Sequence, residues 1–229
     1  MKISRCQKLT LLDFPGHLAC TVFLPGCNLR CPFCHNASLV LPRGDEAAMT
    51  VDEFLAFLQK RRGRLQGVCV TGGEPTLYPD LPDLLRQIHT LGFAVKLDTN
   101  GTNPALLRAI LSDGLVDYVA MDIKNSPARY AETCGGVDVL DKVRESAALL
   151  MASGVDYEFR TTLAHPLHTV EDVAAIGAWL QGARRYFLQQ FVDSGDLIGA
   201  GMAPLTPQEM EAMREAVLPY IKETTLRGI

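Results

Sequence analysis

The chain has 229 residues, 48% hydrophobic and 21% charged, the balance of an ordinary globular protein at a length where one large α/β domain suffices. Its net charge of −4 argues against bulk nucleic-acid binding, which leaves a basic footprint. No apolar run approaches the ~18 residues of a membrane span, and the N-terminus lacks a signal peptide's apolar core, so a cytoplasmic protein with no membrane partner is expected.

In chain order, LACTVFLP (18–25) predicts a first strand, and CNLRCPFC (27–34) follows it directly. Thr50 with Glu53 three residues on makes a capping-box pattern for a helix whose apolar stripe is Phe54, Phe57 and Leu58. GVCVTG (67–72) predicts the second strand and runs into TGGEP (71–75) before a helix over 81–91. FAVKLDT (93–99) is the third and leads into LDTNG (97–101) and a helix over 104–113. VDYVAMDIK (116–124), VDYEFRTTL (155–163) and RYFLQQFV (185–192) complete six strands, with helices over 140–153 and 170–181 between them. At TPQEM, Thr206 caps a last helix, Pro207 takes its first position and Glu209 closes the box.

Continuous apolar strands alternating with helices predict parallel strands joined by right-handed crossovers. Six units are too few for a closed eight-stranded barrel, so an open doubly wound sheet or a partial barrel fits. In both, the working site lies at the carboxyl ends of the strands, where the three cysteines, TGGEP, LDTNG and MDIK all fall. A single domain over 1–229 is expected, with its core at about 16–195 and a C-terminal helix and tail at 206–229.

Seven cysteines in a reducing compartment are not disulfide staples. Cys6, Cys20, Cys69 and Cys134 are scattered and read as small buried hydrophobes, Cys69 most clearly, within GVCV. Cys27, Cys31 and Cys34 cluster, and thiolates select zinc or an iron–sulfur cluster. Zinc is disfavoured: no second C-x-x-C pair or spaced histidine pair follows, and His35 cannot easily turn back onto its neighbour's metal. A cube held by three thiolates leaves one iron open to a substrate or cofactor, as catalytic zinc keeps an open position.

The C-x-x-x-C-x-x-C spacing with Phe33 before the last cysteine, joined to TGGEP, resembles the radical S-adenosylmethionine (SAM) enzymes. The lead-in LTLLDFPGHLACTVFLPGC, with CHN, GGEPTL, LDTNG and DYVAMDIK, is similar to the activating enzymes of glycyl radical enzymes, nearest the activators of anaerobic ribonucleoside-triphosphate reductase. The resemblance implies a partial six-unit TIM-like (β/α) barrel, one 4Fe-4S cluster on Cys27, Cys31 and Cys34, and S-adenosyl-L-methionine on the open iron. It implies reductive cleavage of that cofactor and abstraction of a glycine α-hydrogen from a partner protein. A reduced flavodoxin or ferredoxin is the implied electron donor, because no further cysteine cluster lies between residues 35 and 68.

Gly72 and Gly73 would let backbone approach a ligand closely, leaving Glu74 to accept from an ammonium group. The resemblance places the cofactor's methionine amino group there, at Gly72, Gly73, Glu74 and Pro75. Asp98 and Asp122 are expected to face one another and to repel unless a cation or lysine intervenes. Relatives place a monovalent cation at the positions of Asp98, Thr99 and Asp122. Lys124, on the same face two residues beyond Asp122, is expected to reach the cofactor carboxylate or ribose. Arg160 in a buried strand needs an anionic partner, and the resemblance sets it near cofactor and incoming peptide. Relatives also carry a histidine at the end of the sixth strand; here Phe191 or Gln190 would have to substitute. His17, His89, His165 and His168 read as loop or cap residues and Trp179 as core.

Activation of a different glycyl radical enzyme stays open, and so do two readings of another kind. One is a radical enzyme of the same fold acting on a small molecule, in the manner of the 7-carboxy-7-deazaguanine synthases. The other is a non-enzymatic metal-binding or iron-sensing protein.

Overall fold

In the computed structural model, residues 1–41 and 49–229 are described. The six expected strands form: β3 (Ala19–Leu24), β5 (Gly67–Gly72), β6 (Ala94–Thr99), β7 (Tyr118–Asp122), β8 (Asp156–Leu163) and β9 (Tyr186–Gln190). All pair in parallel, in sequence order. Helices α2 (Val51–Gln59), α3 (Leu81–Thr90), α4 (Pro104–Ser112), α6 (Leu140–Ala152) and α7 (Val170–Trp179) connect them, and α8 (Pro207–Val217) follows β9. The capping boxes at Thr50 and Thr206 are made as the sequence requires, and Thr169 with Asp172 adds a third. Short helices α1 (Ala37–Val40) and α5 (Tyr130–Thr133) lie within loops at the carboxyl ends of the strands.

Two strands at the sheet edges escape the sequence pattern. β2 (Arg5–Thr10) pairs antiparallel with β3, and β10 (Thr224–Arg227) pairs parallel with β9. β2 is exposed on both sides along most of its length, so it carries no periodic apolar signal. β10 has four residues, and the expected C-terminal tail therefore enters the sheet. A further two-stranded ladder joins β1 (Lys2–Ile3) to β4 (Met49–Thr50). The eight-stranded sheet runs β10-β9-β8-β7-β6-β5-β3-β2, and its two edges do not pair, so the barrel stays partial and open.

The strands are not apolar on both faces, as the continuous-run reading supposed. Cys20, Val22, Val68, Val70, Val95, Leu97, Val119, Met121, Tyr157 and Phe159 point outward into the helix-covered core. Thr21, Cys69, Asp98, Asp122, Arg160 and Thr162, which alternate with them, line the barrel interior. Phe14 closes the amino-terminal end of this interior, packing with Ala19, Tyr118 and Ala120. Its ring lies where a Cβ on Gly67 would have to go, 2.8 Å away. At the far edge, Arg227 of β10 makes a fork to the buried Glu158 (2.8 and 2.9 Å), which also accepts from the Tyr118 hydroxyl. Among the described residues no helix is long and apolar enough to cross a membrane.

Candidate active site

β3 delivers the chain into a loop, residues 25–36, that crosses the carboxyl end of the barrel and carries all three clustered cysteines. Backbone bonds clamp this loop on several sides: Glu74 N–H to Gly26 (2.8 Å), Gly26 N–H to Leu39 (2.7 Å), Arg30 N–H to Cys134 (3.2 Å) and Gly199 N–H to Pro32 (2.9 Å). Leu29 and Phe33 are buried beneath it, and the Phe33 ring stands edge-on to His168 at 5.8 Å. The two glycines of TGGEP make the close approach possible. Gly72 has φ +127°, and a Cβ on Gly73 would lie 1.9 Å from the carbonyl oxygen of Gly26. What approaches Gly72 in the structure is the backbone of Leu24 at the end of β3, and what approaches Gly73 is the cysteine loop itself, in the space the sequence reading gives to a ligand.

Cys27, Cys31 and Cys34 line one cavity of about 540 Å³. The Sγ of Cys27 accepts from the Leu29 N–H (3.4 Å) and from Asn100 Nδ2 (3.8 Å). Burial pushes the Cys27 and Cys34 thiols up. The Cys31 thiol moves the other way, to about 7, because Cys134 donates a hydrogen bond to it and Lys124 adds positive potential. Among the described residues no three His, Cys, Asp or Glu side chains converge closely enough to hold a single metal ion. A cube presents separate irons at its corners and takes one thiolate at each. Three soft donors spread along one loop over one cavity fit that group.

Beneath the thiols lies a row of buried charges. Asp98 and Asp122 do not face one another: across β6 and β7 Asp98 is paired with Ala120, and across β7 and β8 Asp122 is paired with Arg160. The Arg160 guanidinium bridges the two carboxylates, Nε donating to Asp122 (2.9 Å) and Nη1 to Asp98 (3.2 Å). Lys96, buried and unmarked by the sequence motifs, donates to Asp98. Lys124 donates to Asp122 at 3.1 Å and lies 6.0 Å from the centre of the Phe33 ring. Burial would raise both carboxyls, but these cations outweigh it and hold Asp98 and Asp122 below the usual carboxylate range. Lys124 is pulled down by burial and raised further by Asp122 and the nearby thiols, so it stays charged.

Glu74 has another place than expected. It is 1% exposed, and its carboxylate accepts from the Thr76 N–H and hydroxyl, the Thr99 hydroxyl (2.7 Å) and the Asn100 N–H (2.6 Å). Its oxygens tie the end of β5 to the end of β6 and are already engaged. Pro75 is buried at the start of a 3-10 turn over Pro75–Leu77 and is absent from the cavity wall. Gln189 and Gln190 line the cavity, whereas Phe191 is buried away from it. The Gln190 amide is held by the backbone of Leu205.

Several contributors went unread in the sequence. Asn100 looked like half of an Asn-Gly turn, yet it touches Cys27. Cys69 is buried as expected but faces inward, with its Sγ 3.8 Å from both Lys96 and Asp98. His168, taken for a loop residue, is buried and bonds the Lys124 carbonyl at 2.8 Å, and burial keeps it neutral. Asp13 of LLDFPG reaches the cavity wall and accepts from Thr21.

The radical SAM superfamily model matches residues 21–180, which contain the three clustered cysteines, TGGEP, Asp98, Thr99, Asp122, Lys124 and Arg160. A protein of Methanocaldococcus jannaschii, provisionally named a glycyl-radical enzyme activating enzyme, is 32% identical over 99% of this chain and 96% of its own length. The pyruvate formate-lyase-activating enzyme of Clostridium pasteurianum is 32% identical over 54% of this chain and 52% of its own. The S-adenosylmethionine-bound structure of SuiB from Streptococcus suis superposes with a TM-score of 0.66 at 15% identity, over 91% of this chain and 52% of that one, and so shares the fold. The chain belongs to the radical SAM superfamily and, within it, to the glycyl-radical enzyme activating enzymes.

Proposed function

We propose that this protein generates the glycyl radical of an anaerobic ribonucleoside-triphosphate reductase in the cytoplasm, with a reduced flavodoxin or ferredoxin as electron donor. The observation that carries the choice of partner is the short passage from the cysteine loop to α2. No cysteine lies between residues 35 and 68, so the ferredoxin-like insert found in some other glycyl radical activators is missing, which favours the reductase type. The small-molecule reading is not favoured, because the relative matched along its whole length is named as an activating enzyme.

In this reading Cys27, Cys31 and Cys34 hold a 4Fe-4S cluster and the cavity beside them holds S-adenosyl-L-methionine. Together these groups supply one-electron cleavage of a sulfur–carbon bond and a hydrogen-abstracting fragment. The chain supplies placement and exclusion of water. Its backbone at Gly72 and Gly73 offers carbonyl acceptors at the cavity wall. Arg160 and Lys124 present fixed positive charge to the cofactor carboxylate, and Gln190, with Gln189 beside it, lines the cavity at the end of the sixth strand, where relatives carry a histidine. The open side of the barrel admits a glycine-bearing loop, and glycine suits because no side chain blocks its α-hydrogen. A monovalent cation beside Asp98, Thr99 and Asp122 belongs to the proposal only if it displaces one of the side-chain cations already paired there.

The test is anaerobic. The reconstituted, reduced protein is given S-adenosylmethionine with and without the reductase, and 5′-deoxyadenosine and a glycyl radical doublet in the electron paramagnetic resonance spectrum are measured. Both signals, lost in Cys31→Ala, are expected. Cleavage without the doublet overturns the choice of partner, and no cleavage by a verified four-iron cluster overturns the enzyme reading.

A further inference from the structure

The side chain of Asn100 is oriented by its neighbours. Its Oδ1 accepts from the Thr102 backbone N–H (3.0 Å) and from the Thr102 hydroxyl (2.7 Å). A backbone N–H can only donate, so Oδ1 must face Thr102 and Nδ2 must face away from it. On that other side Nδ2 meets Cys27 Sγ at 3.8 Å and Asn28 Oδ1 at 3.1 Å. Asn28 Nδ2 donates in turn to the Thr102 hydroxyl at 2.9 Å, closing a buried ring of hydrogen bonds under the first cysteine.

We propose that Asn100 is a positioning residue that raises the reduction potential of the cluster by donating a hydrogen bond to its Cys27 thiolate ligand. The inference rests on the function proposed above. Reduction adds negative charge to a cluster, and a donor aimed at a ligand sulfur stabilises that charge. Asn100 need not touch the substrate for this effect.

The experiment is a potentiometric titration of the reconstituted protein, followed by electron paramagnetic resonance, in wild type, Asn100→Ala and Asn100→Asp. Removing the donor is expected to lower the reduced-to-oxidised ratio at a fixed potential about tenfold, equivalent to 59 mV for a one-electron couple. Asn100→Asp keeps the acceptor for Thr102 while replacing the donor with an anionic oxygen, so it separates loss of the donor from collapse of the loop and is expected to shift further than Asn100→Ala. Wild-type potentials in Asn100→Ala and Asn100→Asp would overturn the inference. Iron and sulfide content, measured first, separates this failure from that of the functional reading: a wild-type protein unable to hold four irons overturns the function itself.

Discussion

Arg160 and Asp122 stand side by side in register on β8 and β7, and the guanidinium that binds Asp122 at 2.9 Å also reaches Asp98 on the next strand. One side chain thus neutralises two carboxylates that come from separate motifs. Replacing it by methionine leaves both acids buried with one lysine each. Breaking a buried ion pair from one side costs about 3–5 kcal/mol, and Arg160→Met is expected to lose that much stability in urea unfolding. Arg160→Lys keeps the charge but has one point donor in place of a fork, so it should recover only part of the loss. Wild-type stability in Arg160→Met would refute the bridging role.

Charge pairing also fixes a pH dependence. Asp98 and Asp122 have folded-state values below those of the unfolded chain, about 3.9 for aspartate. The unfolded state therefore takes up protons first as acid is added. Their stabilising contribution is complete above the unfolded value and is lost as pH falls through the folded ones. Carboxyl carbon chemical shifts should show both groups still ionised well below ~3.9, up to the point of global acid unfolding. A midpoint at or above that value for both would mean that burial outweighs the cations.

Gly73 offers a test of how TGGEP works. A methyl group there would sit 1.9 Å from the Gly26 carbonyl oxygen, next to Cys27, and backbone cannot yield as a flexible side chain does. Gly73→Ala is expected to displace the cysteine loop and to lose most of the iron bound after reconstitution. Gly154→Ala, with nothing within 4 Å of the new methyl, serves as the control and should bind iron like wild type.

The floor of the barrel can be probed by a double-mutant cycle. Phe14→Ala removes a ring that is 1% exposed, a change of about 3–5 kcal/mol for a buried phenylalanine. Gly67→Ala should be destabilising alone, because the new methyl meets that ring at 2.8 Å. Combined, the two should cost clearly less than their sum, since the smaller side chain leaves room for the methyl. Strict additivity, read from urea midpoints, would mean that the two residues do not share the space.

The local signals in the chain were sufficient for much of this. Capping boxes at Thr50 and Thr206 depend on residues three apart, and strand–helix alternation depends on periodicity within each segment, so six strands and their helices could be read directly. The order of motifs then placed the cysteines, TGGEP, LDTNG and MDIK at one end of a parallel sheet, because parallel strands all point the same way. Other features had no local signature. Register between strands decided that Asp122 meets Arg160 and leaves Asp98 opposite Ala120. Packing across dozens of residues decided that Gly73 makes room for Gly26, that Glu74 spends its oxygens on β6, and that Asn100 meets Cys27. A sequence carries the chemistry of each side chain and its period, but the partner of a buried charge or thiol is chosen by close packing between distant segments, and only the tertiary structure holds that information.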